Sequence, residues 1–421
     1  MAIKLPAFLK SKNVNKSNYL VALDIGTEYV KALIGEVAGN NIEIIGVGRQ
    51  RQRLTDMAGG AVTDISGVVN NCDEALKRAE EMSGVVAKDA VLGIAGELVK
   101  GATTSVSYRR AKPAVQIDMV ELKDIIERVQ NQAFEKVRKE LSWETGYKEI
   151  EVKLVNAAVV DVFIDGYRVT NPIGFQGRDV TIQVFNAFAP MVHLGALQSV
   201  ARDLDLSVIN IAAEPFAVAK SIGADDSTEF SAIFIDIGGG TSDIAVVNNG
   251  GVEGTKMFAI GGRSFTKRIA SSLSLSFEEA EDLKLKHSAG KLTATHDKEV
   301  AEALAGDVEV WLSGVELSLS EFDKLDHLPA RILLCGGGSA LPEIKKALSG
   351  TSWYKNLAFA RKPKIDFVSP SEVNRVVDKT GKLTSPQDIT PMGLANLGLD
   401  IVGSESIGEN VLQRLSRTLS L

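Results

Sequence analysis

The chain has little cysteine or histidine: only Cys72 and Cys335, and four histidines scattered at 193, 287, 296 and 327. Two cysteines far apart in sequence form neither a disulfide framework nor a metal knuckle, and the expectation is a reduced compartment. The histidines enter no HExxH helix and no Ser/His/Asp arrangement, so surface or packing roles are expected of them. A GxxxxGK[ST] phosphate loop is also missing. No uninterrupted apolar stretch approaches the roughly 18 residues that suggest a membrane span. Met1-Ala-Ile-Lys-Leu-Pro6 lacks the long apolar region and small-residue cleavage site of a secretory leader. Positive charge is in deficit, with 47 Lys and Arg against 54 Asp and Glu and a net charge of −7. That balance argues against general nucleic-acid binding, which needs a basic face.

What is present points to a large α/β protein. Its 421 residues exceed one ordinary core, so two or more domains are expected. Apolar runs of strand length alternate with helical periodicities. Two segments are the most informative, Asp24-Ile-Gly-Thr27 and Asp236-Ile-Gly-Gly-Gly-Thr-Ser-Asp243. Each ends an apolar run and is followed by a second alternating run, so each reads as a hairpin closed by a Gly/Thr turn. Outward-pointing amides in such a turn form a cradle for anions. Glycine allows close approach of phosphates and φ > 0. The leading Asp24 and Asp236 suit a hydrated Mg²⁺, which keeps several waters and takes few carboxylates. One such hairpin in each half implies a nucleotide clamped between two related lobes, and requires the two turns to face each other across one cleft.

Residues 1–17, with Lys4, Lys10, Lys12 and Lys16, read as a basic, loosely ordered lead-in. A helix is expected over Ser66–Ser83 and a buried strand over Asp89–Ala95. An insertion spans roughly 98–180, with a helix from Asp118 to about Leu141 and a hairpin turning at Asp165-Gly166. It is small and strand-rich, and is expected to need its host for stability. Residues 263–329 read as mostly helical. Gly336-Gly337-Gly338-Ser339 lies between a strand and a helix, where its amides suit a sugar or phosphate, although a plain tight turn reads the same way.

Together these segments resemble the superfamily of actin, the heat-shock chaperone ATPases and the sugar kinases. The resemblance implies phosphate loops at Asp24–Thr27 and Asp236–Asp243 and an adenosine loop at Leu334–Ser339. ATP would then be held by Asp24, Gly26, Thr27, Asp236, Gly238, Gly239, Gly240, Thr241, Gly336, Gly337, Gly338 and Ser339, with Mg²⁺ on Asp24 and Asp236 through water. Ala280-Glu-Asp-Leu-Lys284 is similar to the superfamily's A-E-x-x-K segment, in which Glu281 and Lys284 flank adenosine; alone it is a solvated helix face. Connecting helices are implied near Glu214–Lys220 and Pro391–Leu397. Glu214-Pro-Phe-Ala-Val-Ala219 resembles the chaperone segment whose Glu orients the attacking water, which makes Glu214 the candidate catalytic residue. Its other reading is an acid at a helix N-terminus.

Ile42–Gly48, Gly60–Ile65, Ala79–Gly84 and Asn171–Gly177 narrow the resemblance to the FtsA family of bacterial cell-division proteins, over about 18–403. The family implies a two-lobed, actin-like (ribonuclease H-like) α/β fold with a 1C-type insert in the first lobe. Subdomain 1A would take 18–97, 181–212 and about 391–403, and 1C would take 98–180. Subdomain 2A would take 213–262 and 330–390, and 2B would take 263–329. The family also implies filament formation, slow ATP hydrolysis at most, binding of the FtsZ C-terminal peptide, recruitment of other division proteins, and a place on the cytoplasmic membrane face at the division site. A PilM-like assembly partner of type IV pili, sharing the insert, is the alternative.

The tail 404–421 supports the membrane expectation from its own residues. Wound as a helix, Ile407, Val411, Leu412, Leu415 and Leu419 fall within a roughly 140° arc, while Arg414 and Arg417 lie on the other side. Such a helix is marginal in water but suits an anionic lipid surface, each Arg adding about 1 kcal/mol; a disordered end and a helix docked on the body are the competing readings.

Overall fold

The computed structural model of the protein describes residues 18–146, 150–223 and 230–402. The basic N-terminal segment and the tail helix expected over Ile407–Leu421 lie outside these residues.

The first half opens with β1 (Tyr19–Ile25), β2 (Tyr29–Ala38) and β3 (Asn41–Arg51), then a two-rung ribbon of β4 (Met57–Ala58) and β5 (Ala61–Val62). Helix α1 (Ile65–Ser83) and β6 (Asp89–Ile94) follow. The insert contributes β7 (Lys100–Arg109), α2 (Met119–Thr145), β8 (Val152–Ile164), β9 (Tyr167–Arg168) and β10 (Asp179–Pro190), and α3 (Met191–Asp203) and β11 (Ser207–Ala213) return to the first sheet. The second half runs through α4 (Glu214–Ser221), β12 (Ala232–Ile237), β13 (Ser242–Asn248) and β14 (Gly251–Phe258). Then come α5 (Gly262–Leu273), α6 (Phe277–Ser288), α7 (Ala294–Ser320), β15 (Arg331–Cys335), α8 (Pro342–Leu348), β16 (Lys364–Phe367), β17 (Val376–Asp378) and α9 (Ile389–Val402).

Two sheets organise these elements. The first has the order β11-β6-β1-β2-β3-β17, and the second runs β16-β15-β12-β13-β14-β7-β10-β8-β9. In both, an antiparallel hairpin adjoins parallel strands: β1–β2 beside β6, and β12–β13 beside β15. The repeat of hairpins read in the sequence is therefore a repeat of sheet architecture.

The strands form because β1, β2, β12 and β13 are near-continuous runs of Val, Ile, Leu and Ala, buried on both faces. Helix α1 lies directly on β3, where a Cβ at Gly46 would stand 2.2 Å from Ala79 O and one at Gly48 1.8 Å from Ala75 O. Helix α2 begins at Asp118, whose side chain accepts from Glu121 N–H, and ends at Gly146 in the left-handed region. Its buried Leu122, Ile125, Ile126 and Val129 give the insert a core of its own with Val162, Ile164, Val180, Ile182 and Val184.

The insert also joins the second half of the chain, through Gly254 paired with Ala102 and Thr255 with Gly101. Neither β7 nor β14 is signalled by sequence: one is rich in Thr and Ser, and the other carries two glycines. Helices α4 and α9 cross beneath the hairpins so closely that a Cβ on Gly393 would lie 3.0 Å from Ala217 O. The start of each helix thereby points into the space between the sheets. Among the described residues no helix is long and apolar enough to cross a membrane.

Candidate functional site: a nucleotide-type cleft between the lobes

Strand register builds the floor of this space. Antiparallel pairing of β1 with β2 sets Asp24 opposite Lys31. The Lys31 ammonium donates to Asp24 Oδ2 at 2.9 Å. In the other lobe β12–β13 sets Asp236 opposite Asp243, and β12–β15 sets Asp236 beside Cys335, so Gly336 follows next to the Asp236 carboxyl. Thr390, in the first turn of α9, donates its hydroxyl to Asp236. Glu214, the first residue of α4, enters beside Gly93, where a Cβ would lie 2.6 Å from Glu214 Oε1.

The two Gly/Thr turns meet. A Cβ on Gly239 would stand 2.6 Å from Glu28 Cβ, and one on Gly240 2.7 Å from Thr27 Oγ1. Glycines 26, 238, 239 and 240 do not have positive φ, contrary to the expectation for such turns. What they supply is clearance, since any side chain would drive the turns apart. Gly336 alone of this set needs glycine conformationally, at φ 80° and ψ 159°.

The resulting cleft encloses about 1080 Å³ of empty space, its mouth included. Its walls include Asp24, Gly26, Thr27, Asp236, Gly238, Gly239, Thr241, Glu281, Lys284, Gly336, Gly337, Gly338 and Glu214. Gly240 and Ser339, expected at the ligand, do not line it. Gly240 abuts Thr27, and the Ser339 hydroxyl is turned into its own turn, donating to Gly336 O at 2.7 Å. Glu281 and Lys284 are no solvated helix face: both are buried, and Lys284 Nζ lies 2.7 Å from Glu281 Oε2, 2.7 Å from Thr266 Oγ1 and 3.0 Å from Gly262 O. Helix α6 is pinned at its far end by His287, whose ring nitrogens lie 2.7 Å from Asp297 and 3.0 Å from Glu343. That is a packing role. Lys31 and Arg263 also line the cleft without having been picked out from the sequence, and Asp243, expected only as the end of the second loop, lines it too. The Asp24–Lys31 pairing was available from hairpin register, while Arg263 reaches the site only through tertiary packing.

Four buried carboxyls, Asp24, Glu214, Asp236 and Asp243, share the cleft with Lys31, an excess of negative charge. Burial pushes Glu214 well above the usual carboxylate range, with Asp24, Asp243 and Asp236 adding repulsion that Lys31 only partly offsets. Burial, then Asp236, raises Asp243 well above its ordinary value. Asp236 is raised by burial, against the Thr390 hydrogen bond and Lys31. Burial alone would lower Lys31, but Asp24, Asp236 and Glu214 together hold it above its ordinary value. Asp243 Oδ1 is buried without a hydrogen-bond partner among the described residues. An orphaned oxygen amid excess negative charge fits a hydrated divalent cation. Among the described residues no group of three or more His, Cys, Asp or Glu is placed to chelate a metal directly, so such a cation would keep most of its waters.

A carboxyl with a higher pKa folded than unfolded binds protons more tightly in the fold, so its ionisation opposes folding as pH rises from the carboxylate range. Glu214→Gln is therefore expected to stabilise the ligand-free protein by about 1–2 kcal/mol near about pH 8 and by much less near about pH 5. Urea denaturation at the two pH values measures this; an equal effect at both would place the Glu214 charge outside the cluster.

Two related sheets, a hairpin turn from each meeting over an acidic cleft, and two crossing helices beneath define a two-lobed actin-like fold with an insert of the 1C type. A chain of the "PilM-PilN type IV pilus biogenesis complex" superposes with a TM-score of 0.65 at 17% identity, covering 91% of this chain and 99% of that one. That likeness concerns the fold. In sequence the chain is similar to proteins named FtsA. A family model described as "Cell division protein FtsA" matches residues 233–386. The protein of that name from Pseudomonas aeruginosa is 28% identical over 356 residues, which is 78% of this chain and 80% of the relative. The one from Bacillus subtilis is 25% identical over 351 residues, 79% and 76% of the two chains.

Proposed function

We propose that the chain is a cell-division protein of the FtsA kind. It binds ATP with Mg²⁺ in the cleft, assembles into actin-like filaments, and tethers FtsZ filaments to the cytoplasmic face of the membrane at the division site. The observation that carries this is the meeting of the two Gly/Thr turns over the acidic cluster. Amides of Gly26, Thr27, Gly239 and Thr241 would cradle the phosphates, and Lys31 would face them with a positive charge. Asp24 and Asp236, with Asp243 behind them, would hold the hydrated Mg²⁺, which supplies neutralisation of phosphate charge. Gly336–Gly338, Glu281 and Lys284 would border the nucleoside.

Nucleotide works here as a conformational ligand, favouring the lobe arrangement that grips it from both sides. Glu214 reaches the same space and would orient a water for slow hydrolysis. The helical region α5–α7 is the expected seat of the FtsZ C-terminal peptide. The tail, through Ile407, Val411, Leu412, Leu415 and Leu419 with Arg414 and Arg417, would lie on the lipid. Other division proteins would gather on the filament.

Co-sedimentation with anionic liposomes, FtsZ and Mg-ATP tests this directly. The full chain is expected to pellet and to carry FtsZ with it, while a chain ending at Gly403 stays in the supernatant. Equal pelleting of the two chains would take the tail out of the mechanism, and pelleting without FtsZ would take out the tether.

A further inference from the structure

Arg263, the second residue of α5, touches both ligand turns at once. Its backbone N–H donates to Gly239 O in the second turn at 2.8 Å, just after Gly262 N–H donates to Gly238 O at 2.9 Å. Its guanidinium then crosses to the first lobe. There Nε donates to Glu28 Oε2 at 2.7 Å, at the end of the first turn. Nη1 reaches Met57 O at 3.3 Å and Leu54 O at 3.4 Å, and Nη2 reaches Arg53 O at 3.4 Å. Glu28 is fixed in turn by Arg51, whose Nε donates to its other oxygen at 2.7 Å. The Arg263 side chain is only 9% exposed, so its charge depends on these partners.

We propose that Arg263 is the positioning residue that sets the gap between the two turns, and through it the rate at which bound nucleotide leaves. This rests on the nucleotide reading of the cleft. The second turn is held by the Arg263 backbone and the first by its side chain, so parting the turns must break the Nε–Glu28 bond and strand a buried guanidinium. A ligand gripped by both turns escapes only when they part, so the stitch enters the off-rate far more than the encounter rate. Lysine keeps the charge but is a compact point donor, unable to span Glu28 and the carbonyls of 53–57 together.

The test uses the full chain with a fluorescent ATP analogue and Mg²⁺, following release by stopped flow after a chase of unlabelled ATP. Arg263→Lys and Glu28→Gln are each expected to speed release about tenfold, the effect of losing one charge-assisted hydrogen bond, with association within about twofold. The double variant should release no faster than the quicker single one. Variants that melt lower but release at the wild-type rate would assign Arg263 a merely structural role and overturn the proposal.

A second measurement needs no nucleotide. Spin labels on Val86→Cys and Lys298→Cys, exposed positions in the first half and on α7, report the distance between lobes, since Cys72 and Cys335 are buried. Arg263→Lys should broaden that distribution. Failure of the wild-type chain to bind any nucleotide would sink the reading of the cleft, while an unchanged distance distribution would sink the stitch itself.

Discussion

Gly336→Ala is expected to destabilise the protein by about 3 kcal/mol and to weaken nucleotide binding about a hundredfold or more, although it adds one methyl group. Gly336 has φ 80° and ψ 159°, a region closed to side chains. Its added Cβ would also stand 2.1 Å from Asp236 Oδ1, 2.5 Å from Ile237 O and 2.7 Å from Ile237 N. The carboxyl has nowhere to retreat, because Thr390 holds its other oxygen. The methyl therefore displaces both the turn that would border the nucleoside and the acid that would hold the cation. Gly337→Ala is the control: nothing lies within 4 Å of its Cβ and its φ is ordinary, so the fold should tolerate it. Calorimetric titration with Mg-ATP beside urea melts separates the outcomes. Near-wild-type binding by the Gly336 variant would remove this turn from the site.

The second large effect is expected at Gly48. Helix α1 rests on β3 through Ala75 and Ala79, small residues that let the helix backbone descend onto the strand. A valine at 48 would place its Cβ 1.8 Å from Ala75 O and 3.0 Å from Ala79 N, both backbone atoms that cannot rotate aside. Lifting α1 unpacks Val68, Cys72, Ala75, Leu76 and Ala79 from the sheet. Gly48→Val should cost about 4 kcal/mol or more, in the range reserved for overpacked cores. Denaturant midpoints or soluble yield report it. A cost below about 1 kcal/mol would mean that the helix re-seats freely, against the close packing of protein interiors.

Local chemistry explains what could be read from the sequence. The strands of both hairpins, the Asp118 cap of α2 and the Asp165-Gly166 turn are written in neighbouring residues and fold as written. The lining of the candidate cleft was legible where it follows strand register, as at Asp24 and Asp236. It was illegible where burial or distance decides. Lys284 and Glu281 look like a solvated pair until Thr266 and Gly262 cover them. Arg263 and Glu28 are 235 positions apart, and no local pattern joins them. Gly240 and Ser339 belong to the same motifs, but Gly240 packs against Thr27 of the opposite turn and Ser339 bonds within its own turn, which composition alone does not specify. The β7–β14 seam escaped for the same reason: a Thr/Ser-rich strand and a glycine-rich one gain their order from each other.

That seam has a mechanical outcome. The insert is tethered covalently to the first sheet at both ends, through β6 and α3, and fastened to the second lobe by the β7–β14 pairing at Ala102–Gly254 and Gly101–Thr255 and by the Thr103 hydroxyl, which donates to Val252 O at 2.6 Å. It therefore behaves as a lever arm bridging both bodies. Any shift of one lobe against the other would load this strand series β14-β7-β10-β8-β9, which carries the strain outward from the seam to the terminal hairpin.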